Sequence, residues 1–179
     1  MKCPDDGIEM RRIDYRGINL EECPRCRGRW FDRGELTKAK DKTDEDLRWL
    51  DFDPFQKEAD KFRVPSEGRK CPACGNAMEA LTYRNSGVVI DRCPACHGVW
   101  LHAGEFEKII DFLEKTVIRK SAADYVKDVS QQLLEIIKDP AHPVAEIKDF
   151  MAALKLLEER IGAEHPAFSQ AARDIFRRF

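Results

Sequence analysis

Apolar and polar residues alternate over two short stretches near the N-terminus, Glu9 to Tyr15 and Ile18 to Glu22, and again over Met78 to Arg84 and Val88 to Arg92. A period of two places every second side chain on one face, so each pair of stretches predicts a half-buried β-hairpin. The turns carry Gly17 in the first pair and Asn85-Ser86-Gly87 in the second, residue types that accept positive φ at little cost. From Glu105 onward the period changes to that of a helix. Phe106, Ile109, Ile110, Leu113 and Val117 share one helical face, and Val126, Val129, Leu133, Ile136 and Ile137 repeat the spacing, which predicts one long helix or two abutting helices to about Lys138. Asp139-Pro140-Ala141-His142-Pro143 is expected to stop it, because proline removes a backbone donor and clashes with the preceding turn. Ile147, Phe150, Met151, Leu154, Leu157 and Ile161 predict a further helix ending near Gly162, and Phe168, Ala171, Ala172, Ile175, Phe176 and Phe179 a last one. Between the hairpins, residues 41–68 are dense in charge and predict a linker. It holds one short helix near Asp44 to Leu50, anchored by Leu47, Trp49 and Leu50 and bounded by Pro54 and Pro65.

An internal repeat underlies the two hairpins. Cys23-Pro24-Arg25-Cys26-Arg27-Gly28-Arg29-Trp30-Phe31-Asp32-Arg33-Gly34-Glu35-Leu36 aligns without gaps to Cys93-Pro94-Ala95-Cys96-His97-Gly98-Val99-Trp100-Leu101-His102-Ala103-Gly104-Glu105-Phe106. Upstream, Cys3-Pro4, Gly7, Met10 and Tyr15 match Cys71-Pro72, Gly75, Met78 and Tyr83, and the second copy is longer by two residues between its Tyr and its Gly. Each copy is a hairpin flanked by two cysteine turns, with a helix start at Gly34-Glu35-Leu36 or Gly104-Glu105-Phe106.

Composition decides what such small units need. Of the 179 residues 42% are hydrophobic and 36% charged, which favours several small packed units over one large core. Units of roughly 35 residues seldom bury enough apolar surface to fold alone, and disulfides, metal or association make up the difference. The N-terminus, Met1-Lys2-Cys3-Pro4-Asp5-Asp6, shows no apolar signal region, so a cytoplasmic location with reduced thiols is expected.

Cys71-x-x-Cys74 and Cys93-x-x-Cys96, with 18 residues between the pairs, have the ligand spacing of a zinc ribbon, in which two turns bring four thiolates to one tetrahedral ion. In the first copy Asp6 stands where Cys74 stands in the second, so the set is Cys3, Asp6, Cys23 and Cys26. A carboxylate is a harder donor than a thiolate, and this site is expected to be weaker, with Asp6 either a ligand or only a turn residue. Two zinc ions per chain are expected. Gly28 and Gly98 are expected where the turn around the metal leaves no room for a side chain, and Trp30 and Trp100 are expected to cover the sites as the main apolar residues of tiny cores. Glu35 and Glu105 are expected to bind free backbone N–H groups at helix starts. Cys93-x-x-Cys96-His97 also fits haem attachment, but the repeat partner has Arg27 in place of His97, and a dithiol redox role does not explain duplicated pairs at ribbon spacing. His102, His142 and His165 are scattered and expected at the surface.

The pattern Cys-Pro-x-Cys, hairpin, Cys-Pro-x-Cys-x-Gly-x-Trp-x-x-x-Gly-Glu resembles the bacterial TFIIB-type zinc-finger family, over residues 1 to about 40 and 69 to about 108. The resemblance implies that Cys71, Cys74, Cys93 and Cys96 ligate one zinc and that Cys3, Cys23 and Cys26 ligate another. It implies zinc binding more firmly than transcription. The expected fold class is α+β: two small metal-bound zinc ribbons, each a β-hairpin with Cys knuckles, and an α-helical C-terminal region. The expected segments are residues 1–40, the linker 41–68, residues 69–108 and the helical region 109–179.

A closed four-ligand zinc site leaves no position for substrate, and no nucleophile–base pair or phosphate-binding Gly loop accompanies it, so a non-enzymatic adaptor is expected. Its helical region docks on a protein partner or self-associates. Nucleic-acid binding is the alternative, on the strength of Arg11, Arg12, Arg16, Arg25, Arg27, Arg29 and Arg33. With Lys2 these make eight positive charges in residues 1–36, matched by eight carboxylates, and the net charge of the chain is −2, so no bulk attraction to nucleic acid or membrane results. Zinc or redox sensing through the weaker first site is a further alternative, with zinc released there first.

Overall fold

A computed structural model describes residues 1–138 and 143–164, which fall into two units: Met1–Asp44 with Asp51–Glu114, and Glu45–Leu50 with the chain from Lys115 onward. In the first unit, β1 (Arg11–Tyr15) and β2 (Ile18–Glu22) pair antiparallel with Tyr15 opposite Ile18. The two-residue turn, Arg16 at φ 52° and Gly17 at φ 83°, has both residues left-handed, the geometry whose twist matches the flanking strands. β3 (Arg29–Phe31) adds to β2 and leads into α1 (Glu35–Thr43). The second copy repeats this with β4 (Glu79–Thr82), β5 (Val89–Arg92), β6 (Val99–Leu101) and α2 (Glu105–Arg119).

The two ribbons do not form separate modules. β3 pairs antiparallel with β6 in the register Arg29↔Leu101, Trp30↔Trp100 and Phe31↔Val99, and this joins both hairpins into one six-stranded sheet of order β1-β2-β3-β6-β5-β4. Two equivalent strands paired antiparallel about equivalent residues are related by a local two-fold rotation. The physical reason for the merger is core size. Cys3, Met10, Cys23 and Trp30 of one ribbon and Cys71, Met78, Cys93 and Trp100 of the other form a single buried cluster, larger than either ribbon could build alone.

The charged linker expected over residues 41–68 is also different. α1 runs on to Thr43 with Ala39 and Lys40 buried, and Lys40 Nζ binds Asp51 Oδ1 at 2.8 Å. Residues 51–64 then run along the outer edge of β4, where the Val64 N–H donates to the Ala80 carbonyl at 3.0 Å and Arg63 bridges Leu81. Phe52 packs edge-on against Tyr83 at 4.8 Å. High charge concealed a segment in which Pro54 and Ala59 are buried and Phe52, Phe55, Phe62 and Val64 are half-buried.

In the second unit, α3 (Ala122–Lys138) and α4 (Pro143–Glu164) pack together. The break between α2 and α3 is a capping box at Ser121: its Oγ accepts the Asp124 N–H at 3.3 Å, and Asp124 Oδ2 accepts the Ser121 N–H at 3.2 Å. Of the expected anchors, Leu47, Trp49 and Leu50 are buried, and the short helix is a single 3₁₀ turn over Glu45–Leu47. Trp49 meets the Tyr125 ring at 5.7 Å, and Arg48 and Lys155 bind Asp149 and Asp46 at 3.1 and 2.8 Å. Of the stop expected over Asp139 to Pro143, only Pro143 is described, as the first residue of α4; residues 139–142, the last helix expected over Phe168 to Phe179, and His142 and His165 lie outside the described residues.

Candidate metal centres

Each cysteine pair sits on a tight turn whose backbone converges on sulfur. At the first turn of each ribbon the Cys3 and Cys71 carbonyls accept the Gly7 and Gly75 N–H at 2.9 Å, and the Asp6 and Cys74 N–H donate to Cys3 and Cys71 Sγ at 3.4 Å. Gly7 and Gly75 are left-handed at φ 68° and 76°, where only glycine is free of strain. At the second turn the left-handed residues are Arg27 and His97, both at φ 62°, and the glycines that follow serve another purpose.

These turns bring together Cys71, Cys74, Cys93 and Cys96, and separately Cys3, Asp6, Cys23 and Cys26, with all donor atoms of each group within 4.8 Å of one another. Sulfur separations of 3.5 Å for Cys71–Cys96 and Cys74–Cys93 and 3.6 Å for Cys3–Cys26 lie near the edge of a tetrahedron with Zn–S bonds of about 2.3 Å. Asp6 Oδ2 lies 3.1 Å from Cys23 Sγ, which places the carboxylate where it could serve as the fourth donor of the first site. Both donor sets fit zinc, four S in one and three S with one O in the other. Two zinc ions can be held in this way.

Without an ion, burial pushes the Cys3, Cys71 and Cys96 thiols up and the Cys26 thiol up to about 12, so these sulfurs hold their protons. Zinc must displace those protons, which makes its binding pH-dependent. Cys74 is the exception: a hydrogen bond from Asn76 Nδ2 at 3.2 Å draws it down to about 6. In the first ribbon, hydrogen bonding to Cys23 draws Asp6 below the usual carboxylate range.

The tryptophans correct one expectation. Each indole lies over the glycine of the opposite ribbon: a Cβ built on Gly98 would fall 2.0 Å from Trp30 Cζ2, and one on Gly28 would fall 2.3 Å from Trp100 Cζ2. Trp30 therefore walls the second site and Trp100 the first. The Gly28 N–H does donate to Cys26 Sγ at 3.4 Å, but the space a side chain would need is filled by the partner indole. Nothing in either ribbon alone signals this exchange, because it depends on three-residue strands too short to alternate visibly.

Around the rings the repeat is not symmetric. Trp30 Nε1 donates to Asp32 at 2.8 Å, whereas Trp100 Nε1 reaches Asp5 of the first ribbon at 3.2 Å. His102, expected on the surface, keeps a 38% exposed side chain and is held between Glu105 at 3.2 Å and Asp5 at 3.3 Å, and the Glu105 bond raises its pKa. Glu35 and Glu105 accept the Asp32 and His102 backbone N–H at 2.9 and 2.7 Å, the end-capping role expected of them. His97 stacks on Phe55, centroids 4.5 Å apart and planes 9° from parallel.

Residues 2–42 and 70–111 each match the family described as transcription factor zinc-finger, of the TFIIB zinc-ribbon type, which is two tandem copies in one chain. No curated protein and no solved structure matches the chain. Among the described residues, no helix is long and apolar enough to cross a membrane.

Proposed function

Taking residues 2–42 and 70–111 as two tandem zinc ribbons of the TFIIB type, we propose that this chain is a non-enzymatic adaptor, folded by two zinc ions and working through protein association. The closed donor sets support a structural role for the metal, since four protein ligands leave no coordination position for substrate or activated water. A reducing, cytoplasmic setting suits thiolates kept for zinc.

The observation that carries the association role is a set of exposed apolar residues in the helical unit. Val126, Leu133 and Leu134 on α3 and Ile147, Met151 and Leu154 on α4 are exposed, and 126/133 and 147/151/154 keep helical spacing. Single exposed apolar residues are ordinary, whereas stripes at this spacing suit another helix. A second copy of the chain is the occupant to test first. Sedimentation of the zinc-loaded chain is expected to show a monomer–dimer equilibrium that Leu133→Glu with Met151→Glu shifts to monomer. A monomer at every concentration overturns self-association.

Nucleic-acid binding is supported by the arginines of the first ribbon, and would weaken steeply with salt. Absence of any complex with DNA or RNA at low salt removes it.

A further inference from the structure

The repeat places two buried groups of opposite charge at one structural position. Glu22 on β2 and Arg92 on β5 each immediately precede a ligand cysteine, and they stand across from Arg11 and Glu79 in the equivalent pairs Arg11↔Glu22 and Glu79↔Arg92. Only 2% of Glu22 and 4% of Arg92 is exposed.

In the second ribbon the chain itself covers this position. Arg92 binds Asp60 Oδ1 at 2.7 Å and Glu79 at 3.0 Å, and it donates to the Pro54 carbonyl. Phe55 lies on His97 and within 5.9 Å of the Arg92 guanidinium. The same segment then adds to the outer edge of β4 through Val64 and Ala80. Segment 51–64 thus supplies a carboxylate, an aromatic ring and a strand N–H.

In the first ribbon, among the described residues, no strand pairs with the outer edge of β1. Arg11, Arg27 and Arg29 converge on Glu22 at 3.0, 2.9 and 3.2 Å, three cations on one carboxylate. Arg29 is shared with Glu107 at 2.9 Å, while the Arg11 and Arg27 side chains stay 55% exposed. Arg27 stands where His97 carries Phe55, and a guanidinium plane also stacks on an aromatic ring. Counting from the hairpin-closing pair Tyr15↔Ile18, hydrogen-bonded pairs alternate, so the Arg12 N–H and C=O point outward, as the Ala80 carbonyl does on β4.

We propose that this face is a docking surface for an extended acidic segment of another protein. The segment adds to the outer edge of β1, sets a carboxylate among Arg11, Arg27 and Arg29, and lays an aromatic ring on Arg27. The inference rests on the reading of the chain as a protein-interaction adaptor and gives it a second surface, independent of the helical stripe. A phosphodiester backbone is the less suited ligand. It has no strand N–H to donate to the Arg12 carbonyl.

The probe is a fluorescent peptide copying residues 51–64 with glutamate replacing Lys57, Lys61 and Arg63, titrated by anisotropy against the zinc-loaded full chain. Expected is saturable binding weakened at least tenfold by Arg11→Ala with Arg27→Ala, unchanged by the control Lys38→Ala, and weakened when the peptide Phe55 is replaced by alanine. Arg12→Pro, which leaves the Glu22 cluster intact but blocks the edge, is expected to weaken it too. Two zinc per chain in each variant shows that the fold survived. No binding to the wild type, or equal binding to the arginine double variant and Arg12→Pro, overturns the proposal. So does an oligonucleotide that binds where the peptide does not and is lost with the same arginines. Helical self-association measured in parallel tells failure of this surface from failure of the adaptor reading.

Discussion

Gly98→Ala isolates the contact that joins the ribbons. Gly98 is not among the glycines with positive φ, so alanine meets no left-handed backbone strain there, and the atoms nearest its new Cβ are those of the Trp30 ring. The new Cβ would lie 2.0, 2.6 and 2.8 Å from Cζ2, Cη2 and Cε2 of a fully buried indole. Carbon atoms rest at about 3.5–4.0 Å, so the ring must retreat by roughly 1.5 Å. Retreat breaks the Trp30–Asp32 hydrogen bond, a loss of about 1 kcal/mol. Overpacking adds about 1–3 kcal/mol, and expulsion of the ring costs about as much as Trp30→Ala, about 3–5 kcal/mol. A destabilisation of about 3 kcal/mol is expected, from denaturant midpoints of the zinc-loaded protein in excess zinc. The double-mutant cycle supplies the sharper test: once Trp30→Ala has removed the ring, adding Gly98→Ala should cost less than about 1 kcal/mol. Because the displaced ring belongs to the first ribbon, Gly98→Ala should also speed zinc release to a chelator from both sites. A cost below about 0.5 kcal/mol, or the same cost with and without Trp30, refutes the cross-ribbon lock.

Asp6→Cys should tighten the first site in chelator competition by completing a four-thiolate set, and Asp6→Ala should weaken it while leaving both ribbons folded in excess zinc. Arg92→Met leaves Asp60 and Glu79 without their buried cation and should free residues 51–63, read as faster amide exchange and proteolysis there. The raised pKa of His102 means that the protonated ring stabilises the fold. That contribution is whole below the unfolded value near 6.5 and fades as pH rises through the raised folded value, so the stability gap between wild type and His102→Asn should narrow from pH 6 to 9. Chelation of zinc should unfold the sheet of the first unit, because the metal supplies folding free energy that the small core lacks.

The local grammar of the chain was legible where a single hairpin or helix face expressed it. Alternation found both hairpins, the register of the repeat placed Asp6 opposite Cys74, and Ser121 with Asp124 at capping distance holds a break that apolar periodicity alone left undecided. What stayed hidden depends on partners distant in sequence. Trp30 and Trp100 look alike in every local respect whether they cover their own ribbon or the other, and only the β3–β6 pairing separates the two. Residues 51–64 read as a linker because their charges dominate, although Asp60 and the Pro54 carbonyl are ligands for the buried Arg92. The inversion of Glu22 and Arg92 is visible in the aligned repeat, but its meaning needs the burial of both groups.

The exchange of tryptophans also bears on sensing through the first site, since loss of zinc there loosens Trp30, which walls the second. Sequential, independent release is the behaviour least compatible with that packing.

Zinc content of the purified full chain, by elemental analysis with native mass spectrometry, decides whether both ribbons hold metal. Two zinc ions per chain are expected, and fewer than two in a Cys74→Ser, Cys96→Ser variant. One zinc or none in the wild-type chain, in zinc-replete buffer, contradicts that expectation.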